Sequence, residues 1–434
     1  VQPRPTKNDD DLTIDITFDI EEGEKVYVER IDIEGNYRTM DRVIRREFLL
    51  AEGDAFSVSK IRRTRRRIRN LGFFSSAEIN QEPGTEPDRT IIKTEVEEQS
   101  TGDLSFGFGV SSQQGPIGNI GVQERNLLGR GQDLRASVTV AGKETQVDIS
   151  FTEPYFLGRD LSAGVDLFRI TQDRTESSFD FRNLGGSLRA GYDMAEDLRH
   201  VVRYSLEYQQ LDNVDNDASE IIRAEDGNYL QSSVSNEFTY DTRDSRFDPR
   251  SGYTLRLNNE LAGLGGDVRF LKTELFGSYY HSVLDDFTLG LRASGGNIFG
   301  IEDGTRSIDR FFLGGQRPRG FEYAGIGPRD ADTNDALGGK KYYSGSVELS
   351  FPLGLPEDLA IRGRLFTDMG ATWETDKHGT DAKVNDSSAP RVTVGTGISW
   401  NSPFGPVIVD LGWALIKKDY DKTEILSFSF GTQF

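Results

Sequence analysis

Residues 361–372 read IRGRLFTDMGAT. Odd positions carry Ile361, Gly363, Leu365, Thr367, Met369 and Ala371; even positions carry Arg362, Arg364, Phe366, Asp368, Gly370 and Thr372. A period of two marks a β-strand whose faces meet different surroundings. One face is largely apolar and the other bears two arginines and an aspartate. The dry core of a β-sandwich could not hold those charges. A water-filled lumen holds them, with lipid against the opposite face. Backbone groups in lipid must all be paired, so such a sheet has to close on itself.

The same alternation runs through residues 103–434. Leu104, Phe106, Phe108 and Val110 alternate with Ser105, Gly107, Gly109 and Ser111. Val202, Tyr204, Leu206 and Tyr208 oppose Arg203, Ser205, Glu207 and Gln209, and Leu426, Phe428 and Phe430 oppose Ser427, Ser429 and Gly431. About sixteen such segments occur, an even number in the range of outer-membrane barrels. Tight turns such as Leu157–Asp160 and Ser402–Gly405 alternate with long connections at Leu211–Asn228, Ile301–Lys340 and Glu374–Pro390, as barrels with short periplasmic turns and long external loops require. The predicted architecture is mixed: a small N-terminal α+β module followed by a transmembrane antiparallel β-barrel of about sixteen strands.

The longest connection contains FFLGGQRPRGFEYAGIGPRD, Phe311–Asp330. A loop of this length without an element of its own is usually functional or disordered. Asp368 faces the lumen, and a carboxylate there calls for a partner. Arg319, folded inward, would supply a bidentate one, with Gly314, Gly315 and Gly320 allowing close backbone approach. The residues equally allow Arg319 to face solvent on an external loop.

Composition excludes several classes. The 434 residues carry a formal net charge of −20, which argues against nucleic acid as a partner. No apolar run approaches the roughly eighteen residues of a transmembrane helix. The 47 glycines and 10% aromatic residues suit strands and turns. There is no cysteine, hence no disulfide, thiol nucleophile or thiolate metal site, which suits an oxidising periplasm. The histidines His200, His281 and His378 lie near no nucleophile motif. The run Asn213, Asp215, Asp217 has Ala218 where a calcium loop needs glycine and Ala224 where it needs a glutamate. No cofactor, metal or catalytic residue is expected, and the chain is not expected to be an enzyme.

The N-terminal quarter follows different rules. Leu12–Ile20 alternates as a half-buried strand with no evident partner, and no signal peptide precedes it, so residues 1–25 read as the tail of a preceding domain in a mature or truncated chain. Residues 26–98 read β-α-α-β-β: strand Val26–Ile33, a short helix capped by Thr39, helix Val58–Leu71 capped by Ser57 and stopped by Gly72, then strands Phe73–Asn80 and Thr90–Val96. Val58, Ile61, Ile68 and Leu71 share one helix face, interrupted by Thr64 and Arg65. The arginines 62, 63, 65, 66, 67 and 69 read first as a solvated face, ahead of a nucleic-acid surface, with a face toward anionic lipid headgroups or an acidic partner as a third reading that the pattern leaves open.

The set Pro318-Arg319-Gly320-Phe321, Ile326-Gly327-Pro328, Phe366–Gly370, FTEPYF at Phe151–Phe156 and the terminal Phe-Gly-Thr-Gln-Phe resembles the POTRA-plus-barrel superfamily, which includes the barrel subunit of the bacterial outer-membrane protein assembly machinery. Gly35-Asn36, Arg45-Arg46-Glu47 and Leu71–Phe74 resemble its membrane-proximal POTRA domain. Pro318 departs from the small apolar residue usual before the arginine. The resemblance implies an outer-membrane protein with its POTRA domain in the periplasm, folding and inserting β-barrel proteins without nucleotide. It places the loop arginine on Arg319, with Gly320 and Phe321, and its lumen partner on Asp368. It implies a weak seam between first and last strands, involving Leu104, Phe106, Phe108, Gly431 and Phe434. Its implied partners are outer-membrane lipids, unfolded barrel substrates and accessory lipoproteins, the last at Arg45, Arg46, Glu47 and Glu52. A TamA-like assembly factor and a two-partner secretion pore are the alternative members.

Overall fold

The computed structural model describes residues 2–8, 13–19 and 25–431, except 247, 285, 303, 403 and 404. The chain divides into two compact units: residues 1–102 with 125–132, and residues 103–124 with 133–434.

In the first unit, Thr13–Asp19 pairs antiparallel with Gln2–Asn8. The expected strand therefore has its partner just upstream in the same chain, where two prolines had hidden the strand pattern. A separate three-stranded sheet places Arg89–Glu98 in the middle. Tyr27–Glu34 runs parallel to it and Phe74–Pro83 antiparallel. The β-α-α-β-β order is as read, with helices Asp41–Arg45 and Val58–Asn70.

Details of that domain correct the sequence reading. Thr64 lies in the core, where its hydroxyl accepts the Leu49 N–H at 3.1 Å, while Val58 is 54% exposed. The buried face is thus Ile61, Thr64 and Ile68, a helical spacing that tolerates threonine because its hydroxyl is satisfied. Neither proposed cap bonds as expected. Ser57 occupies the N-cap position but its hydroxyl meets Ser59 instead. The short helix begins after Met40, and the Thr39 N–H donates to Glu98 at 2.6 Å. The basic helix pairs within the domain, Arg67 with Glu47 at 2.9 Å and Arg69 with Glu78 at 2.7 Å.

Ile68 is fully buried in this core with Ile44, Ile92 and Phe74. Ile68→Ala is expected to cost about 2–5 kcal/mol. Limited proteolysis of the intact chain should then cut within residues 25–99 at lower denaturant than in wild type, with the barrel still resistant.

The second unit is a closed barrel of sixteen antiparallel strands, from Gly102–Ser111 to Leu426–Gly431. Its longest strand has 17 residues, Phe179–Ala195, more than a sandwich normally uses. The long connections 213–226, 301–340 and 374–390 all leave from the same end. Outward side chains such as Leu104, Leu184 and Leu206 are exposed, whereas inward Ser187, Ser205 and Asp368 are buried. At the short-turn end His200 stacks on Phe238 at 4.1 Å and meets Tyr192 edge-on, an amphipathic cluster of the kind found at membrane interfaces.

Candidate functional site

Three strands build a charged patch on the lumen wall, the first two adjacent and the third separated from them by Arg391–Ser402. Lys341–Pro352 contributes Ser346 and Glu348, Ile361–Trp373 contributes Arg364, Phe366 and Asp368, and Gly405–Ile416 contributes Asp410. The strand period puts all of these on the inner face. Arg319, from the 301–340 connection, reaches into the patch.

Its guanidinium grips Asp368 bidentately, Nε to Oδ2 at 2.7 Å and Nη2 to Oδ1 at 2.8 Å, and its backbone N–H donates to the same carboxylate at 3.1 Å. Nη1 donates to Glu348 Oε2 at 2.7 Å and lies 3.5 Å from Asp410. The flat cation sits 3.4 Å from the centroid of the Phe366 ring, a favourable face for a desolvated guanidinium. Arg364 bridges Glu348 at 2.7 Å and Asp410 at 3.4 Å, and Arg292 lies 3.7 Å from Glu348. Three carboxylates thus face three guanidinium groups. Arg319, Asp368, Glu348, Arg364 and Asp410 are all buried. Of the two sequence readings of Arg319, the inward one describes this geometry.

Gly320 holds a φ of +87°, and a Cβ there would stand 3.2 Å from the Gly412 carbonyl on the wall. Gly320→Val would add backbone strain of about 1–3 kcal/mol and wedge the loop off the strand. Protease cleavage within 311–330 should rise in this variant while the folded barrel still shifts in gel mobility on boiling. Phe321 is buried with Leu313 and Ile326 in a small apolar cluster.

The loop also touches both flanks of the barrel closure. Lys422 and Glu424 precede the last strand. The Glu322 N–H donates to Lys422 O at 3.2 Å, the Lys422 N–H to Gly325 O at 3.0 Å and the Glu424 N–H to Gly320 O at 3.2 Å. On the other flank Gly315 lies against Gln113, in the turn after the first strand. A cavity of about 380 Å³ joins Arg319, Asp368 and Asp410 to Ser111 on the first strand and Ser427 and Ser429 on the last.

Among the described residues the first and last strands pair at Ser111–Ser429, Val110–Phe430 and Gly109–Gly431. The pairing of Ser162–Arg174 with Phe179–Ala195 runs through thirteen positions. Gly431 has a φ of +101°, and a Cβ there would run into the Phe108 carbonyl. Leu104, Phe106 and Phe108 point outward and are exposed; Phe434 lies outside the described residues.

In the first unit Arg45 binds Asp41 at 3.1 Å, Glu52 at 3.3 Å and the Ile31 carbonyl at 3.1 Å. Ile31, Arg45, Arg46, Leu49 and Glu52 line a groove of about 430 Å³. Glu47 is buried beside Arg46 and Arg67, so it supports the domain from within instead of presenting a surface.

Sequence reasoning missed a second buried network among the loops. Arg310 pairs with Glu225 at 3.3 Å, and His378 Nε2 lies 3.0 Å from the same carboxylate. The hydrogen bond to Glu225 raises the His378 pKa, against the opposing effect of burial. A raised histidine pKa stabilises the folded loops fully below the unfolded value, and this contribution is lost as pH rises through the folded value. Loop proteolysis should therefore increase on going from mildly acidic to alkaline pH, and His378→Gln should flatten that dependence. Arg391 and Asp421, fully buried and 2.9 Å apart, form another pair without a local signature.

A lipid-facing barrel of sixteen strands, preceded by a small α+β domain and holding an inward loop by a buried arginine, defines a class of membrane protein with an occupied lumen. The Omp85 superfamily domain matches residues 126–434, and a POTRA model described as a surface antigen variable number repeat matches residues 26–99. The chain belongs to the Omp85 superfamily. It is 35% identical over 97% of its length to the outer membrane protein assembly factor BamA of Neorickettsia risticii, of which it spans 57%. It is 30% identical to the sorting and assembly machinery component 50 homolog A of Xenopus laevis, with 77% of this chain and 73% of that one covered. The fold matches the crystal structure of BamA from Haemophilus ducreyi lacking POTRA domains 1–3, with a TM-score of 0.86 at 22% identity, covering 100% of this chain and 89% of the other.

Proposed function

We propose that this chain is the membrane-embedded part of an outer-membrane assembly factor, which folds and inserts β-barrel proteins without nucleotide. The observation that carries this reading is the closure between first and last strands, three paired positions among the described residues, with the Arg319 loop bonded beside the last strand and packed against Gln113 beside the first. Parting that closure exposes N–H and C=O groups, and an unfolded substrate strand can pair with them by strand addition. The Arg319 network sets how firmly the closure is held. The similarity to assembly factors supports the same reading. The POTRA domain lies in the periplasm, and the groove at Arg45 and Glu52 receives an accessory lipoprotein.

Proteoliposomes carrying the chain should speed the insertion of an unfolded barrel protein in the absence of ATP, read as the appearance of its heat-modifiable form. A rate equal to that of empty liposomes, or a strict need for nucleotide, would remove this function. The secretion-pore alternative requires an open lumen. The loop and its ion pairs occupy this one at rest, but that family shares the loop, so conductance and secretion of a cognate substrate are the observations that separate it from assembly.

A further inference from the structure

Arg169 stands out on the lipid-facing wall. Val138, Val147, Arg169, Leu184, Tyr208 and Leu230 lie directly across from one another on six consecutive strands. All six are exposed, and five are apolar or aromatic. The neighbouring row toward the long-loop end is polar apart from Val140 at its edge: Thr145, Thr171, Arg182, Gln210 and Asn228. Arg169 therefore occupies the last apolar row, where a long basic side chain reaches headgroup level with its stem against lipid.

Among the described residues no carboxylate answers it. Among the described residues Arg169 makes no ion pair, whereas Arg182 is engaged with Asp212 at 3.1 Å. The outward carboxylates Asp173 and Asp180 lie two rows beyond, roughly 13 Å along the strand. One row in the other direction, the wall is indented. Gly186 stands across from Leu167 and Leu206, and its missing side chain opens a shallow apolar groove of about 470 Å³ between Leu184, Leu167 and Leu206, with Arg169 on its rim.

We propose that this groove holds an acyl chain of a phosphate-bearing lipid of net negative charge, whose phosphate is bound by Arg169. A guanidinium forks onto phosphate oxygens, and the adjacent dent gives the chain a fixed place along the strands. Thr171 and Gln210, in the polar row above, offer further hydrogen-bonding groups to the headgroup.

The test uses the full chain in a neutral detergent, with retained lipid counted by native mass spectrometry. Phosphatidylglycerol, phosphatidylcholine and inorganic phosphate are the probes. Wild type should retain phosphatidylglycerol over phosphatidylcholine, and Arg169→Gln should lower that retention about tenfold, the effect of one lost charge-assisted contact. Arg169→Lys should keep most of it, and Gly186→Leu should lower retention with the cation intact. The gel shift on boiling confirms that each variant is folded. Equal retention by Arg169→Gln and wild type would overturn the proposal, as would equal retention of the two lipids by wild type. Displacement of the lipid by inorganic phosphate would also overturn it, reducing the site to a simple anion contact.

Discussion

Arg319→Ala is expected to abolish assembly activity while leaving the barrel closed. The substitution removes the guanidinium that satisfies Asp368 and Glu348 at 2.7 Å and lies within reach of Asp410. Arg364 and Arg292 remain, so three buried carboxylates would face two cations. Breaking a buried pair by deleting one partner typically costs about 3–5 kcal/mol. That cost falls on the docking of the loop, because the strand ladder does not run through Arg319. Asp368→Ala should be nearly as severe, since it removes both forked bonds and the backbone N–H contact, leaving Arg319 held by Glu348 without its main partner. Arg319→Lys keeps the charge but loses the fork and should be intermediate. Complementation of cells depleted of their own assembly factor reads the activity, and the gel shift on boiling reads the barrel. Full complementation by Arg319→Ala would detach the network from function.

Locking the closure should stop substrate insertion altogether. Ser111 and Ser429 are directly paired across it, and the chain contains no cysteine of its own. In Ser111→Cys/Ser429→Cys, oxidation should block insertion into proteoliposomes and a reductant should restore it. Ser187→Cys/Ser205→Cys makes the matched control, because that pair sits in the interior of a long ladder that has no reason to part. Normal insertion by the oxidised seam variant would mean that substrates do not enter between these strands.

Much of this architecture is written locally. The alternation of 361–372 assigns Arg364 and Asp368 to the lumen because neighbouring side chains on a strand must face opposite ways. The length and glycines of 311–330 mark a loop that approaches a wall. Partners at long separation are not written locally. Glu348 stands 29 residues from Arg319, and Glu225 stands 85 from Arg310; only closure of the sheet and docking of the loops bring them together. Asp410, on the strand Gly405–Ile416, becomes the third carboxylate of the network for the same reason. Thr64 was masked by its hydroxyl, and the hairpin of residues 2–8 by Pro3 and Pro5, which interrupt its pattern. Arg169 left only a weak trace, a cation among alternating apolar positions, whose meaning depends on what stands across from it on the adjoining strands.

The buried Arg319 network is expected to govern the closure between first and last strands. Spin labels at Ser111 and Ser429, measured by double electron–electron resonance in lipid nanodiscs, test it most directly. Wild type should give a narrow short distance, and Arg319→Ala a broad distribution extending to longer distances. Superimposable distributions in the two proteins would contradict the claim.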